Sequence, residues 1–268
     1  MKHINLDGSD ITFDRDAHIH FDEAAHRYTV DGYGEMKPVS SVIALFFDEF
    51  DAVYWSLKKC NDDPVKAARL RDEWSSKGCV ASQTGTFLHK QIEDFLNGKQ
   101  EIDTLCEVCY KGDYMDVCDT IDISQEWGYF EAFYHTQRQT GFTPFRTEWR
   151  VYDTDARMAG TIDLVCACSD GTYEMYDWKR SNKVNPEECS KWHSGKNGLE
   201  HLTDTSYMHY CLQQNLYRYM LERNYGITIS SMNLVVLHPK YSSYRIVPVP
   251  RMDSEVAIIL SYLSLQGR

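Results

Sequence analysis

The chain has 268 residues, with 28 Lys and Arg against 40 Asp and Glu for a formal charge of −12, and it is 43% hydrophobic and 25% charged. That composition excludes wholesale disorder and supplies enough apolar residues for a sizeable core. The acid excess argues against a broad electrostatic nucleic-acid coat, but it leaves room for a local basic groove or a metal-mediated phosphate contact.

No linker and no repeat divides the chain. A single domain is expected, with residues 1–140 mostly helical and 141–268 forming a sheet core. Short strands are expected over 18–22 and 26–30, with Asp31-Gly32 as turn chemistry. Ser40 or Ser41 reads as the N-cap of a helix entering at Val42. That helix begins the longest aliphatic and aromatic run, Val42 to Phe47, far short of the ~20 residues a membrane span needs. Further helices are expected over 51–60, 63–77 and 79–97, the last stopped by Asn97-Gly98. Residues 101–122 are acidic and take no clear element, and a helix over 123–139 closes at Gly141. From Phe145 the period shortens to two, which predicts strands over 147–152, 159–168 and 172–179. A polar stretch over 181–205 leads to a helix over 206–224, strands over 232–238 and 244–249, and a short final helix. This order indicates an α/β (α+β) layered domain rather than a bundle or a sandwich.

The chemistry concentrates in Gly160-Thr-Ile-Asp163 and Asp177-Trp-Lys179. Side chains alternate along a strand, so Asp177 and Lys179 share one face and Trp178 takes the other. If Ser169-Asp-Gly171 is a three-residue loop, Cys168 pairs with Thr172 and Asp163 stands opposite Asp177. A two-residue Asp170-Gly171 loop would put the carboxylates on opposite faces. The three-residue form needs a left-handed third residue, so Gly171 is expected at positive φ. Two carboxylates and a lysine converging in a sheet are costly to bury unless neutralised. A hard divalent cation, Mg²⁺ or Mn²⁺, does this; a salt bridge on an exposed hairpin face is the other reading. His89 and Glu93 lie one helical turn apart on a common face, as do Gln213 and Tyr217.

These residues resemble the signature of the PD-(D/E)XK nuclease superfamily, in its RecB-like exonuclease branch. Gly160-x-x-Asp163 followed by Asp177-x-Lys179 is similar to the core motif, and Gly85-x-x-x-His89-x-x-x-Glu93 to the upstream helix motif. Gln213-x-x-x-Tyr217 resembles the later helix motif, and Glu148 stands where the family places an acidic residue. The segment from His26 to Val42 also resembles phage and bacterial exonuclease-like members. The resemblance runs over residues 26–224. It implies a restriction-endonuclease-like core: a central mixed sheet flanked by helices, with a helical N-terminal elaboration. It also implies a metal-dependent nuclease acting on DNA, an exonuclease rather than a site-specific endonuclease, using one or two Mg²⁺ or Mn²⁺ ions. By resemblance His89, Asp163, Asp177 and the Trp178 carbonyl hold the metal, and Glu148 supports a second ion or its waters. Lys179 orients or deprotonates the attacking water and offsets charge on the phosphate, while Glu93, Gln213 and Tyr217 support the site or contact DNA. His89, Asp163, Asp177 and Lys179 are thus expected in one pocket. The alternative function is a nucleic-acid-binding module that keeps the fold without turnover.

Lys179, Arg180, Lys183, Lys191 and Lys196 fall together, and Arg146 and Arg150 flank the first core strand. They read as phosphate-positioning groups, with Trp178 and Trp192 for base stacking, or else as a solvated loop. The nine cysteines, with no secretory segment in view, are expected to be free thiols in a cytoplasmic, reducing setting. Cys106-x-x-Cys109 has no second paired half for zinc. Some RecB-like relatives carry an iron–sulfur cluster on three cysteines after the Gln-Tyr motif; none follows Cys211 here, so no such cluster is expected.

Overall fold

The computed structural model describes residues 5–112, 116–187 and 193–266. The chain forms two compact units, Met1–Asp48 with Ala132–Arg268, and Glu49–Glu131. The first begins with β1 (Ile19–Asp22), β2 (Arg27–Val30), β3 (Gly34–Pro38) and α1 (Val39–Ala44). The second holds α2 (Ala52–Lys59), α3 (Pro64–Leu96), β4 (Leu105–Lys111), β5 (Asp116–Asp122) and the start of α4 (Ser124–Arg138). The chain returns to the first unit through β6 (Thr143–Asp153), β7 (Met158–Ala167) and β8 (Tyr173–Lys179). It ends there with α5 (Ser206–Met220), β9 (Ile229–Val236), β10 (Arg245–Pro248) and α6 (Asp253–Gln266).

The first unit is a mixed sheet flanked by helices. β7 is its pivot. One edge of β7 pairs antiparallel with β6 from Met158 to Ala167. The other edge is shared: β3 runs parallel beside Met158 and Ala159, and β8 runs antiparallel beside Leu164–Ala167. Residues 160–163 lie between these two pairings, so the sheet forks there. Beyond the fork β8 stays paired, parallel, with β9 as far as Lys179, and β10 closes that side. Buried residues from α1, α5 and α6, including Val42, Leu216 and Ile259, form one core with Trp149, Ile162 and Met175. Phe133, near the end of α4, packs edge-on to Trp178 at 5.5 Å and to Tyr176 at 5.7 Å.

The β7–β8 hairpin has the expected register. Cys168 donates its N–H to Thr172 O at 2.9 Å, Gly171 sits at φ +83°, and Leu164 pairs with Tyr176. Asp163 and Asp177 are therefore the next opposed positions.

Several elements differ from the sequence reading. The first helix starts at Val39 with Pro38 as N-cap, so neither Ser40 nor Ser41 caps it. β3 was not expected because Met36 is its only fully buried residue, which leaves no alternation to read. The helices expected over 63–77 and 79–97 are one helix, Pro64–Leu96, of 33 residues. Gly78 costs only about 1 kcal/mol against Ala, too little to break a helix that Asp63 caps and Pro64 starts. The acidic stretch forms the β4–β5 hairpin, whose register sets Cys109 against Cys118, and the two are joined by a disulfide. The expectation that every cysteine is free is thereby corrected: without the hairpin, the pair could not be seen to face each other. In the second unit Gln83 holds β4 to α3 through both the N–H and the carbonyl of Cys109. Gln91 accepts from Asp103 N at 3.0 Å. Among the described residues no helix is long and apolar enough to cross a membrane.

Candidate metal and catalytic site

The fork in the sheet gathers the acidic residues. Glu148 lies between the Thr147–Leu164 and Trp149–Ile162 pairs, so it stands opposite Asp163 across β6 and β7. Its φ of +45° is left-handed, a conformation that costs a non-glycine residue about 1–3 kcal/mol and is concentrated at functional sites. Carboxylate oxygens of Glu148 and Asp163 come within 4.8 Å of each other. Two carboxylates so close repel one another, and a pair of hard oxygens of this kind could hold a divalent cation.

Where β8 leaves β7, the Asp163 side chain replaces the missing ladder partner: Trp178 N donates to Asp163 Oδ2 at 2.9 Å. Asp177 is 3% exposed. Its Oδ1 accepts from Gln214 Nε2 at 3.0 Å, and its Oδ2 pairs with Lys179 Nζ at 2.5 Å. Burial pulls the Lys179 pKa down, but the Asp177 and Asp163 carboxylates outweigh it and leave the pKa raised. The ammonium also lies 4.5 Å from the Tyr210 ring centroid.

Two tyrosines line the same place. Tyr28 shares a hydrogen bond with Thr161 Oγ1 at 2.9 Å, and burial together with Glu148 and Asp163 raises its pKa. Burial raises Tyr217 well above the ordinary phenol value; Tyr28, Asp177 and Asp163 add to this, while the Gln213 hydrogen bond opposes it. Gln213 Nε2 donates to the Tyr217 hydroxyl at 3.2 Å. Gly160 is where this ring needs room, since a Cβ there would sit 2.5 Å from Tyr217 Cε1. Tyr217 is 5% exposed and cannot swing out freely. Gly160→Ala should therefore cost about 1–3 kcal/mol through overpacking and displace the ring. Urea unfolding checks the first effect, and the near-ultraviolet tyrosine signal checks the second.

Of the residues singled out in sequence, Glu148, Asp163, Asp177, Lys179, Gln213 and Tyr217 surround the fork. The Trp178 backbone belongs to the network, but its ring is buried against Phe133. It cannot stack on a base, which corrects that expectation. Arg180 follows β8, half-buried. His89 and Glu93 lie half-buried on α3 in the other unit, where Glu93 accepts from Lys90 Nζ at 3.0 Å. Arg146 is no phosphate ligand either: it is 2% exposed and pairs with Asp16 at 2.5 Å. Lys196 is engaged with Asp48 at 2.9 Å, Arg150 lies over the Phe21 ring, and Lys183 is exposed. Lys191 and Trp192 lie outside the described residues.

Sequence reasoning missed Gln214, Tyr28 and Tyr210. Only Gln214 had a signal, as a polar residue between Leu212 and Leu216 on a helix face that proves buried. No family model matches this chain, and no curated protein matches it. Among solved structures, the crystal structure of SSO0001 aligns with 86% of this chain and 75% of its own at 11% identity. The TM-score is 0.33, a likeness too slight to bear on fold or function.

Proposed function

We propose that the protein is a metal-dependent nuclease that hydrolyses DNA phosphodiester bonds, working as an exonuclease in the cytoplasm. The observation that carries this reading is the sheet fork, where the strained Glu148 faces Asp163 and the Asp177–Lys179 pair lies across the hairpin. The ordered resemblance of the Gly85, Gly160, Asp177 and Gln213 motifs supports it.

Glu148 and Asp163 supply the hard oxygens for Mg²⁺ or Mn²⁺. The resemblance adds His89, Asp177 and the Trp178 carbonyl. Such a cation, when bound, polarises a phosphoryl oxygen and lowers the pKa of a coordinated water. Lys179 orients the attacking water and offsets negative charge as it builds on the phosphate. Asp177 aims that ammonium, and Gln214 fixes Asp177. Tyr217, buried and raised in pKa, stays protonated and, held by Gln213, fixes the β7 backbone at Gly160 beside the carboxylates.

The test is incubation of end-labelled single- and double-stranded DNA with Mg²⁺, Mn²⁺ or EDTA. Shortening from the ends with either metal is expected, with none in EDTA, none with Asp163→Asn and none on closed circles. Binding of DNA without cleavage in either metal would replace this reading with that of a binding module.

A further inference from the structure

The helical unit carries an exposed surface that its core does not explain. Phe50, just before α2, is 63% exposed and Tyr54 is 50% exposed. Phe50 meets Trp74 of α3 edge-on at 5.7 Å, and Tyr54 meets Trp55 at 5.2 Å. Lysines are set among these rings. Lys58 Nζ lies 5.3 Å from the Tyr54 centroid and 5.6 Å from that of Trp55, and Lys59 Nζ lies 5.4 Å from that of Trp74. Among the described residues neither lysine is ion-paired with an acid. Three acids near in sequence are engaged elsewhere, Asp51 capping α2 through Tyr54 N, Asp63 capping α3 and Glu73 holding Lys77, while Glu49, Asp62 and Asp72 are exposed at the margin of this surface.

We infer that this face of α2 and α3 binds single-stranded DNA, its rings stacking on unpaired bases and Lys58 and Lys59 contacting the backbone phosphates. The inference rests on the reading of the protein as one that acts on DNA. Charge and shape select this occupant. A protein partner would have to desolvate two lysines in the middle of the patch, where interfaces are depleted of lysine. A strand alternates flat, stackable faces with anionic groups, which is the pattern that interleaved rings and ammoniums complement. In a duplex the base faces are hidden.

Trp55 and Trp74 report binding directly. The full-length protein, in EDTA so that nothing is cut, is titrated with oligo(dT), with the duplex of the same length and with an abasic deoxyribose-phosphate oligomer. Tryptophan quenching by oligo(dT) is expected, with affinity at least about tenfold weaker for the duplex and for the abasic oligomer. Phe50→Ala with Tyr54→Ala should weaken oligo(dT) binding at least about tenfold and leave the far-ultraviolet spectrum unchanged, because both rings are exposed. Lys58→Ala with Lys59→Ala should flatten the plot of log affinity against log salt by about 1.4, the value for two phosphate contacts on a single strand. Equal affinity for oligo(dT) and the abasic oligomer, or wild-type affinity in the ring variant, overturns the inference. A protein that binds oligo(dT) here but cuts nothing in Mn²⁺ overturns the nuclease reading alone. One that cuts DNA but binds oligo(dT) undiminished in the ring variant overturns only this one.

Discussion

Lys179→Met should lower single-turnover cleavage by about 10²- to 10³-fold, the usual cost of losing one group aimed at charge that develops in the transition state. The same variant should lose about 3–5 kcal/mol of stability in metal-free protein. The second effect follows from burial. Asp177 is 3% exposed, and its Oδ2 faces the Lys179 ammonium at 2.5 Å. Taking away that ammonium leaves a buried carboxylate without its cation, while the Gln214 amide still donates to Oδ1. Met matches the lysine stem in length, so the loss reports charge rather than a cavity. Cleavage is compared at a temperature where both proteins are folded, and stability is read from urea unfolding. An unchanged unfolding midpoint would show that the pair is solvated; an unchanged rate would remove Lys179 from the chemistry.

Arg146→Met should cost a similar amount, about 3–5 kcal/mol, with no direct part in catalysis. Arg146 holds the N-terminal segment against β6. Its guanidinium donates to Asp16 Oδ2 at 2.5 Å, to Asn5 Oδ1 at 2.8 Å and to Ile11 O at 3.3 Å. The Phe13, Phe145 and Trp149 ring centroids lie 4.5–5.1 Å from it, and Trp149 Nε1 donates to Asp16 Oδ1. Removing the cation leaves the half-buried Asp16 without its counter-ion, so the segment should detach before the sheet unfolds. Arg146→Met combined with Asp16→Leu should recover part of the loss, because both charges then disappear together. Strict additivity of the two single losses would mean that the pair is not coupled.

What could be read from the sequence was local. The β7–β8 hairpin followed from period-two alternation and from Gly171 as the loop residue that accepts positive φ, and that register set Asp163 opposite Asp177. What could not be read depends on partners distant in the chain. β3 has a single buried side chain and exists because β2 and β7 flank it. Arg146 looked like a surface cation until Asp16, 130 residues away, was placed against it. The Gln-Tyr motif pointed to Gln213, yet the contact to Asp177 belongs to Gln214, since α5 turns that residue inward. The strain at Glu148 has no sequence signature at all; it arises where β6 passes the fork.

The proposed metal site is tested most directly by titrating Mn²⁺ into the protein and following the free aquo ion by electron paramagnetic resonance. Wild type is compared with Glu148→Gln and Asp163→Asn. The expected result is at least one tightly held ion in wild type and an affinity lower by at least about tenfold in each variant, with cleavage lost in parallel. Wild-type Mn²⁺ affinity in Asp163→Asn would contradict the assignment, because no cation at the fork could then be held by the carboxylate at its centre.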